Sequence, residues 1–340
     1  MQPYVLPLLH QYKLFHILHS LIPQVFDVFR VSQLITFGDM ELSEEPPYNL
    51  STSAIDIFQP DRYNPGSFLF NKKGSIYRYT EGDGTTLIAG SPTELGLKEG
   101  SALQSRFNLI IDILQHKNDK MAIVDFRNHC IRELNMATSR VRTFIGSCQI
   151  SSRTSPNFIR METADQNVSA RAEVMNHPLQ VVYVEKGDYY IFFDMIVNNL
   201  LKMDVRTDTV ACLNADLNKG TLYNIINIIV DTKQKYLYIT HGYALSKLDL
   251  DTLEIELLAG VSVNDNGRTP NDFQAGPFST AYVGRLGAMV WIIPDQVMAA
   301  ITGRTNEAIT LIDLVNKEIS AVCPGKFWQH NNNTFAIQKK

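Results

Sequence analysis

Short apolar runs separated by polar turns recur along the chain, in the alternating or continuous patterns of β-strands rather than helical steps. Residues 122–135 (AIVDFRNHCIRELN) and 300–313 (AITGRTNEAITLID) align without gaps: the Ala-Ile opening, Asn128 with Asn306, Ile131 with Ile309, and a closing polar residue coincide. Residues 68–80, 192–204 and 238–249 follow the same grammar, in which a short strand enters a polar turn and a second strand ends on Thr, Asn or Asp. A β-branched run follows each closer: GTTLIAG after Thr80, RVRTFIG after Asn135, TDTVACL after Asp204, EIELLAG after Asp249 and KEISAVC after Asp313. Turn residues precede these runs, as in hairpins.

Upstream of the paired strands lie near-continuous apolar segments, FNLIIDIL (107–114), HPLQVVYV (177–184) and YNIINIIVD (223–231), as expected of strands buried on both faces. The closers sit at 80, 135, 204, 249 and 313, giving steps of 55, 69, 45 and 64 residues. Irregular steps of this size fit a β-unit with variable loops and exclude a helical solenoid. Four strands per unit at this period predict an all-β propeller. Five blades can be counted, and the ends suggest a sixth. Residues 25–38 (VFDVFRVSQLITFG) read as the last two strands of a blade, and KFWQ (326–329) with TFAIQ (334–338) supply two more. Joining both ends would close a six-bladed ring and remove exposed edges.

Residues 101–146, with an Ala-Arg-Phe-Asn-like lead-in, a Val-Asp strand and the Asn128-His129-x-Ile131-Arg132 turn, resemble the blade pattern of NHL repeats. ARAEVMNHP (170–178) repeats the lead-in, and the Gly-rich linker 81–102 is similar to that of the family. Elsewhere the pattern degrades, with Gly303 replacing the Asp and the fourth blade one residue short; the resemblance covers roughly residues 49–323. It implies a propeller scaffold. The paired ends GSC (Cys148) and AVC (Cys323) resemble uncharacterised extracellular NHL-type proteins of invertebrates, which implies secretion.

Composition supports a folded chain: of 340 residues, 45% are hydrophobic and 10% aromatic. The expected domains are an apolar extension, 1–24, and a single propeller, 25–340. Leu14, Leu18, Leu21, Val25 and Phe29 predict a short amphipathic helix interrupted by Pro23, a structural extension rather than a targeting device. No uncharged apolar run reaches the ~18 residues of a spanning helix; residues 291–301 are broken by Pro294 and Asp295. Cys130, Cys148, Cys212 and Cys323 lack metal-ligand spacing and read as half-buried thiols, their pairing left open. Sequons at Asn49, Asn167 and Asn332 are no more than chance supplies.

The chemistry of a propeller would lie in its channel. NHL-like amidating lyases hold zinc through histidines, and the eight here are His10, His16, His19, His116, His129, His177, His241 and His330. Catalytic zinc needs three converging ligands. His177 at an inner-strand start and His241 at a middle-strand turn could approach the channel, but no third equivalent follows, and His129 occupies a structural turn position. Asp56, Asp112 and Asp231 on inner strands, with Asp125 and Asp194 on the next, could ring a calcium ion as in propeller lactonases, yet their repetition argues for architecture. No catalytic, cofactor-binding or metal residues are therefore assigned, and no cofactor is expected.

The net charge of −4 weighs against nucleic acid. Residues 117–171 hold nine Lys/Arg against five Asp/Glu, including Arg127, Arg132, Arg140 and Arg142, with Arg140 and Arg142 expected on one face of an outer strand. Such a sector is more often a solvated face than the RNA site of some tripartite-motif NHL propellers. The sequence favours a non-enzymatic scaffold binding a protein or small-molecule ligand through loops 148–169 and 261–278, with a metal-dependent lyase or hydrolase and an RNA-binding propeller as alternatives.

Overall fold

The computed structural model describes residues 58–72, 74–116, 119–149, 167–172, 175–194, 200–213, 222, 224–261, 273–303, 308–321, 329–331 and 334–336. Five antiparallel sheets follow one another along the chain as propeller blades. Blade one is β1 (Phe58–Pro60), β2 (Ser67–Lys72), β3 (Ser75–Thr80) and β4 (Gly84–Gly90). Blade two has β5 (Gly100–Ser101) outermost on β9, and β6 (Ile110–His116), β7 (Lys120–Asp125), β8 (Cys130–Asn135) and β9 (Arg140–Ile145) in order from the inside. Blade three repeats this plan with β10 (Val168–Ser169) outermost and β11 (Pro178–Val184), β12 (Tyr189–Asp194), β13 (Leu200–Asp204) and β14 (Thr209–Cys212). Blade four is β15 (Ile225–Val230), β16 (Tyr236–His241), β17 (Tyr243–Asp249) and β18 (Ile255–Val261). Blade five has β19 (Gly276–Pro277) outside β20 (Arg285–Ile293), β21 (Val297–Gly303), β22 (Ala308–Asp313) and β23 (Glu318–Ala321).

The five closers each end a third strand, and local turn chemistry explains why. Asp204, Asp249 and Asp313 accept main-chain N–H groups two and three residues on through Oδ1, and Asn135 accepts that of Thr138. In all five blades a left-handed residue follows four past the closer: Gly84, Ser139, Asp208, Leu253 and Lys317 have φ of 81°, 51°, 54°, 61° and 54°. In three blades the carbonyl of that residue is also a docking point. Ala102, Ala170 and Phe278, each next to a short outer strand, donate their N–H to Ser139, Asp208 and Lys317 at 2.8, 2.9 and 2.8 Å.

The apolar content lies between blades. One cluster joins Leu69 and Ile76 of blade one to Ile113, Ile123 and Leu134 of blade two. Others join Val124 and Ile131 to Val181 and Phe192, Ile191 and Phe193 to Ile228 and Ile239, and Tyr238 and Leu245 to Met289 and Trp291. Strand β12 shows the consequence for sequence. Tyr190 and Phe192 enter the core toward blade two, while Tyr189, Ile191 and Phe193 enter the core toward blade four. A strand covered on both faces reads as a continuous apolar run.

The expectation of six blades closed by the termini requires correction. Among the described residues the sixth sheet is a hairpin, β24 (Gln329–Asn331) on β25 (Thr334–Ala336), each strand paired with the other. Two three-residue strands do not make a four-stranded blade. The strands expected over residues 25–38, like the helix expected around Leu14–Phe29, lie outside the described residues.

Candidate binding face

Antiparallel order gives each blade two ends. One end carries the turns between first and second strands and between third and fourth. In blades two to five both are tight, with left-handed residues Asp119, Asp188, Gln234 and Asp295 in the former set. The other end carries the turns between second and third strands and the departures from each fourth strand. Here fall the longer connections, 146–167, 195–199, 213–224 and 262–275. Most of the loops expected to hold specificity, 148–169 and 261–278, lie outside the described residues.

At the junction of blades two and three this loop-bearing end is held by polar groups. Strand β7 ends at Asp125, whose Oδ1 accepts the N–H of Asn108 at 2.7 Å and whose Oδ2 accepts the Asn128 amide at 2.8 Å and the Arg132 guanidinium at 3.3 Å. Burial pushes the Asp125 carboxyl up to about 6, against these donors, which favour the anion. A short 3-10 turn, Phe126–Asn128, delivers His129 in a left-handed conformation, φ 56°. Its Nδ1 bonds the Asn176 carbonyl, and its ring meets that of His177 edge-on at 4.7 Å. Burial, then the neighbouring His177, holds the His129 imidazole below its ordinary value. Asp194 closes the equivalent strand of blade three, accepting the N–H groups of Asn176 and His177 at 2.6 Å each.

The inner strands show a second use of polar groups. Asp112 Oδ2 accepts the N–H of Val181 at 3.0 Å, Gln180 Oε1 that of Ile228 at 2.8 Å, and Asn227 Oδ1 that of Met289 at 3.0 Å. Each of these acceptors follows a register shift in its strand, between Ile110 and Asp112, Pro178 and Gln180, and Ile225 and Asn227. The bulge re-aims one side chain from its own ladder toward the next blade. Half-buried positions on the same strands are mostly aliphatic, Ile111, Leu114, Leu179, Ile226, Ile229 and Ile292 among them, with Tyr183 and Asn227 the polar ones.

Of the residues singled out from sequence, Asp125, His129, His177 and Asp194 gather at the junction of blades two and three on structural bonds, and the others are placed elsewhere. His241 ends β16 in a buried position, its Nε2 2.8 Å from Ser246 Oγ, and burial pushes its imidazole down to about 4. His177 packs against His129 and Phe126 beside β11. Asp231 falls just past β15, capping its hairpin through the N–H groups of Lys235 and Tyr236. His116 contacts the Tyr190 hydroxyl within the blade two–three core. Asp56, His10, His16 and His19 lie outside the described residues, and so does the side-chain placement of His330. Among the described residues no group of three or more His, Cys, Asp or Glu has the geometry to hold a metal ion.

The basic sector is smaller than its residue count. Arg132 is fully buried, on Asp125 and the Lys98 carbonyl. Glu133 bonds Arg142 at 2.8 Å and Lys120 at 3.3 Å. Arg140 and Arg142 do flank buried Val141 on one exposed face, and Arg127 is exposed. An open depression of about 610 Å³ beside them mixes Glu99 and Glu133 with Lys120, Arg140 and Arg142, so no single sign dominates.

One linkage was not read from the sequence. Cys130 and Cys148 form a disulfide across 18 residues, where half-buried thiols were expected. Ile131 pairs with Ile145, which sets Cys130 against Gly146, and a left-handed turn at Cys148 (φ 56°) brings its sulfur back. The bond pins the loop leaving blade two to the turn that carries His129.

No protein-family model and no curated protein matches the chain. Among solved structures, an auxiliary nutrient binding protein from Bacteroides thetaiotaomicron is similar over 82% of this chain and 58% of its own, at 11% identity with a TM-score of 0.51. A protein of unknown function from the same organism matches over 79% and 75% respectively, at 11% identity and TM-score 0.38. A chain of the nidogen/laminin complex matches over 74% and 91%, at 13% identity and TM-score 0.41. The chain spans little more than half the length of the first of these. At such identities the likeness extends to the fold, and the chain is an all-β protein of β-propeller architecture.

Proposed function

We propose that this chain is a non-enzymatic, NHL-like propeller that binds a protein or small-molecule ligand at the end carrying the second-to-third-strand turns and the long connections. One observation carries the reading. Asp112, Asp125, Asp194 and Asp231, the carboxylates a central site would need, each accept main-chain N–H groups. A hydrolytic or lyase centre needs polar groups converging on a substrate; here they converge on the backbone. Residues 25–340 form the propeller domain and 1–24 an apolar extension. Residues 326–340 contribute to closing the ring, so deleting them removes cooperative unfolding; an unchanged transition would refute closure.

The rigid blades and variable connections suit recognition, because a fixed scaffold presents loops at little ordering cost. Elemental analysis of the purified chain tests the non-enzymatic reading. Metal well below one equivalent after dialysis is expected, and stoichiometric zinc or calcium would overturn it.

A further inference from the structure

We propose that Asn167 is an acceptor for an N-linked oligosaccharide, and that the chain matures in the oxidising compartment where such transfer occurs. Two independent observations meet here. The Cys130–Cys148 disulfide belongs to chains folded where thiols are oxidised, since cytosolic reductants keep such pairs open. The sequon Asn167-Val168-Ser169 lies at the outer edge of blade three, its last two residues forming β10 and the three alternating exposed, buried, exposed. Val168 is the anchor. It pairs with Val210 and sits in the blade two–three core, which leaves Asn167 and Ser169 together on the solvent side.

The placement accepts a large polar group without loss. Strand β10 pairs with the first half of β14, and the next residue, Ala170, donates to Asp208 in the tight turn at the end of the blade remote from the long connections. A glycan on Asn167 projects from the rim and displaces no packed side chain. Ser169 Oγ accepts the N–H of Arg171, which keeps the extended segment in place once the chain has folded.

The chemistry is a group transfer without redox change. The Asn167 side-chain nitrogen forms a bond to the anomeric carbon of a polyprenyl-diphosphate oligosaccharide. The carbon–oxygen bond to the diphosphate breaks, the lipid diphosphate leaves with that electron pair, and one amide proton passes to a base. The sequons at Asn49 and Asn332 lie outside the described residues and form no part of the proposal.

The test is translation of the full chain behind a cleavable secretory leader with glycosylation-competent microsomes, scored on the protease-protected product. Enzymatic release of N-glycans should convert Asn167 to Asp in most chains, read by peptide mass spectrometry. Asn167→Gln should lose one glycan's mobility step while keeping the Cys130–Cys148 linked peptide in a non-reduced map. Protected product with Asn167 unmodified would overturn the proposal. So would a missing Cys130–Cys148 linkage, or failure to translocate where a control glycoprotein is processed normally.

Discussion

Asp112 on the innermost strand of blade two accepts the main-chain N–H of Val181 on the innermost strand of blade three, Oδ2 to N at 3.0 Å with both residues buried. Gln180 and Asn227 make the same reach to the following blades, so one inner-strand side chain fastens each of these three consecutive pairs. Removing the acceptor takes this bond from a buried N–H. Asp112→Ala should cost roughly 1–3 kcal/mol in denaturant unfolding, whereas Asp112→Asn, which keeps an oxygen acceptor, should cost less than half as much. Equal losses for both variants would mean that negative charge, not hydrogen bonding, is what the site uses.

His241 predicts an acid-labile contribution to stability. Its folded value lies near 4, below the ordinary 6.5, because burial disfavours the cation. The unfolded chain therefore takes up a proton first, so stability is complete above about 6.5 and falls as pH drops toward 4. His241→Gln should reduce that fall by roughly 2–3 kcal/mol, read from unfolding curves at pH 7 and pH 4. Asp125 acts in the opposite direction. Raised by burial from 3.8 to about 6, it favours the folded state at low pH and loses that contribution as pH rises through 6. An unchanged pH profile for His241→Gln would place that imidazole in water.

Gly260, next to last in β18, has φ 89°, and an added Cβ there would stand 2.2 Å from the Tyr243 carbonyl and 2.9 Å from Ala244 Cα. Gly82 has a similar φ, 87°, with nothing within 4 Å. Gly82→Ala should cost about 1–2 kcal/mol from backbone strain alone, and Gly260→Ala at least twice that, because main-chain atoms cannot move aside cheaply. Similar losses at the two positions would show that the β17–β18 hairpin is looser than its geometry.

The disulfide should be worth more than its size suggests. Cross-linking Cys130 to Cys148 restrains an 18-residue span of the unfolded chain, about 2–4 kcal/mol in chain entropy. A Cys130→Ala/Cys148→Ala variant should melt lower and become insensitive to reductant, whereas the wild-type melt should shift when reductant is added. A wild-type melt indifferent to reductant would contradict the bond's stabilising role.

How much of this was legible follows from the range of the interactions. The closers Asn135, Asp204, Asp249 and Asp313 were readable because an Asx turn is written within four residues, and Gly90, Gly146 and Gly260 because each fourth strand ends against backbone or tightly packed side chains. The inter-blade fasteners were not. Asp112, Gln180 and Asn227 differ in type and act only through bulges that shift register, a signal no single strand shows. The short outer strands β5, β10 and β19 span two residues each, too few for periodicity. Strand β20 was hidden because Pro294 and Asp295, which looked like an interruption in an apolar run, form its hairpin with β21. The inclusion of Arg132 in a surface sector failed for a related reason: its partner Asp125 lies on the neighbouring strand.

The central claim, that the polar groups of the blades serve architecture rather than a resident metal, is tested most directly by calorimetric melting of the full chain in excess chelator, in zinc and in calcium. Melts that superimpose within a degree or two are expected, since a ligand absent from the folded state shifts no transition. A chelator-induced drop of several degrees, restored by one of the two ions, would contradict it.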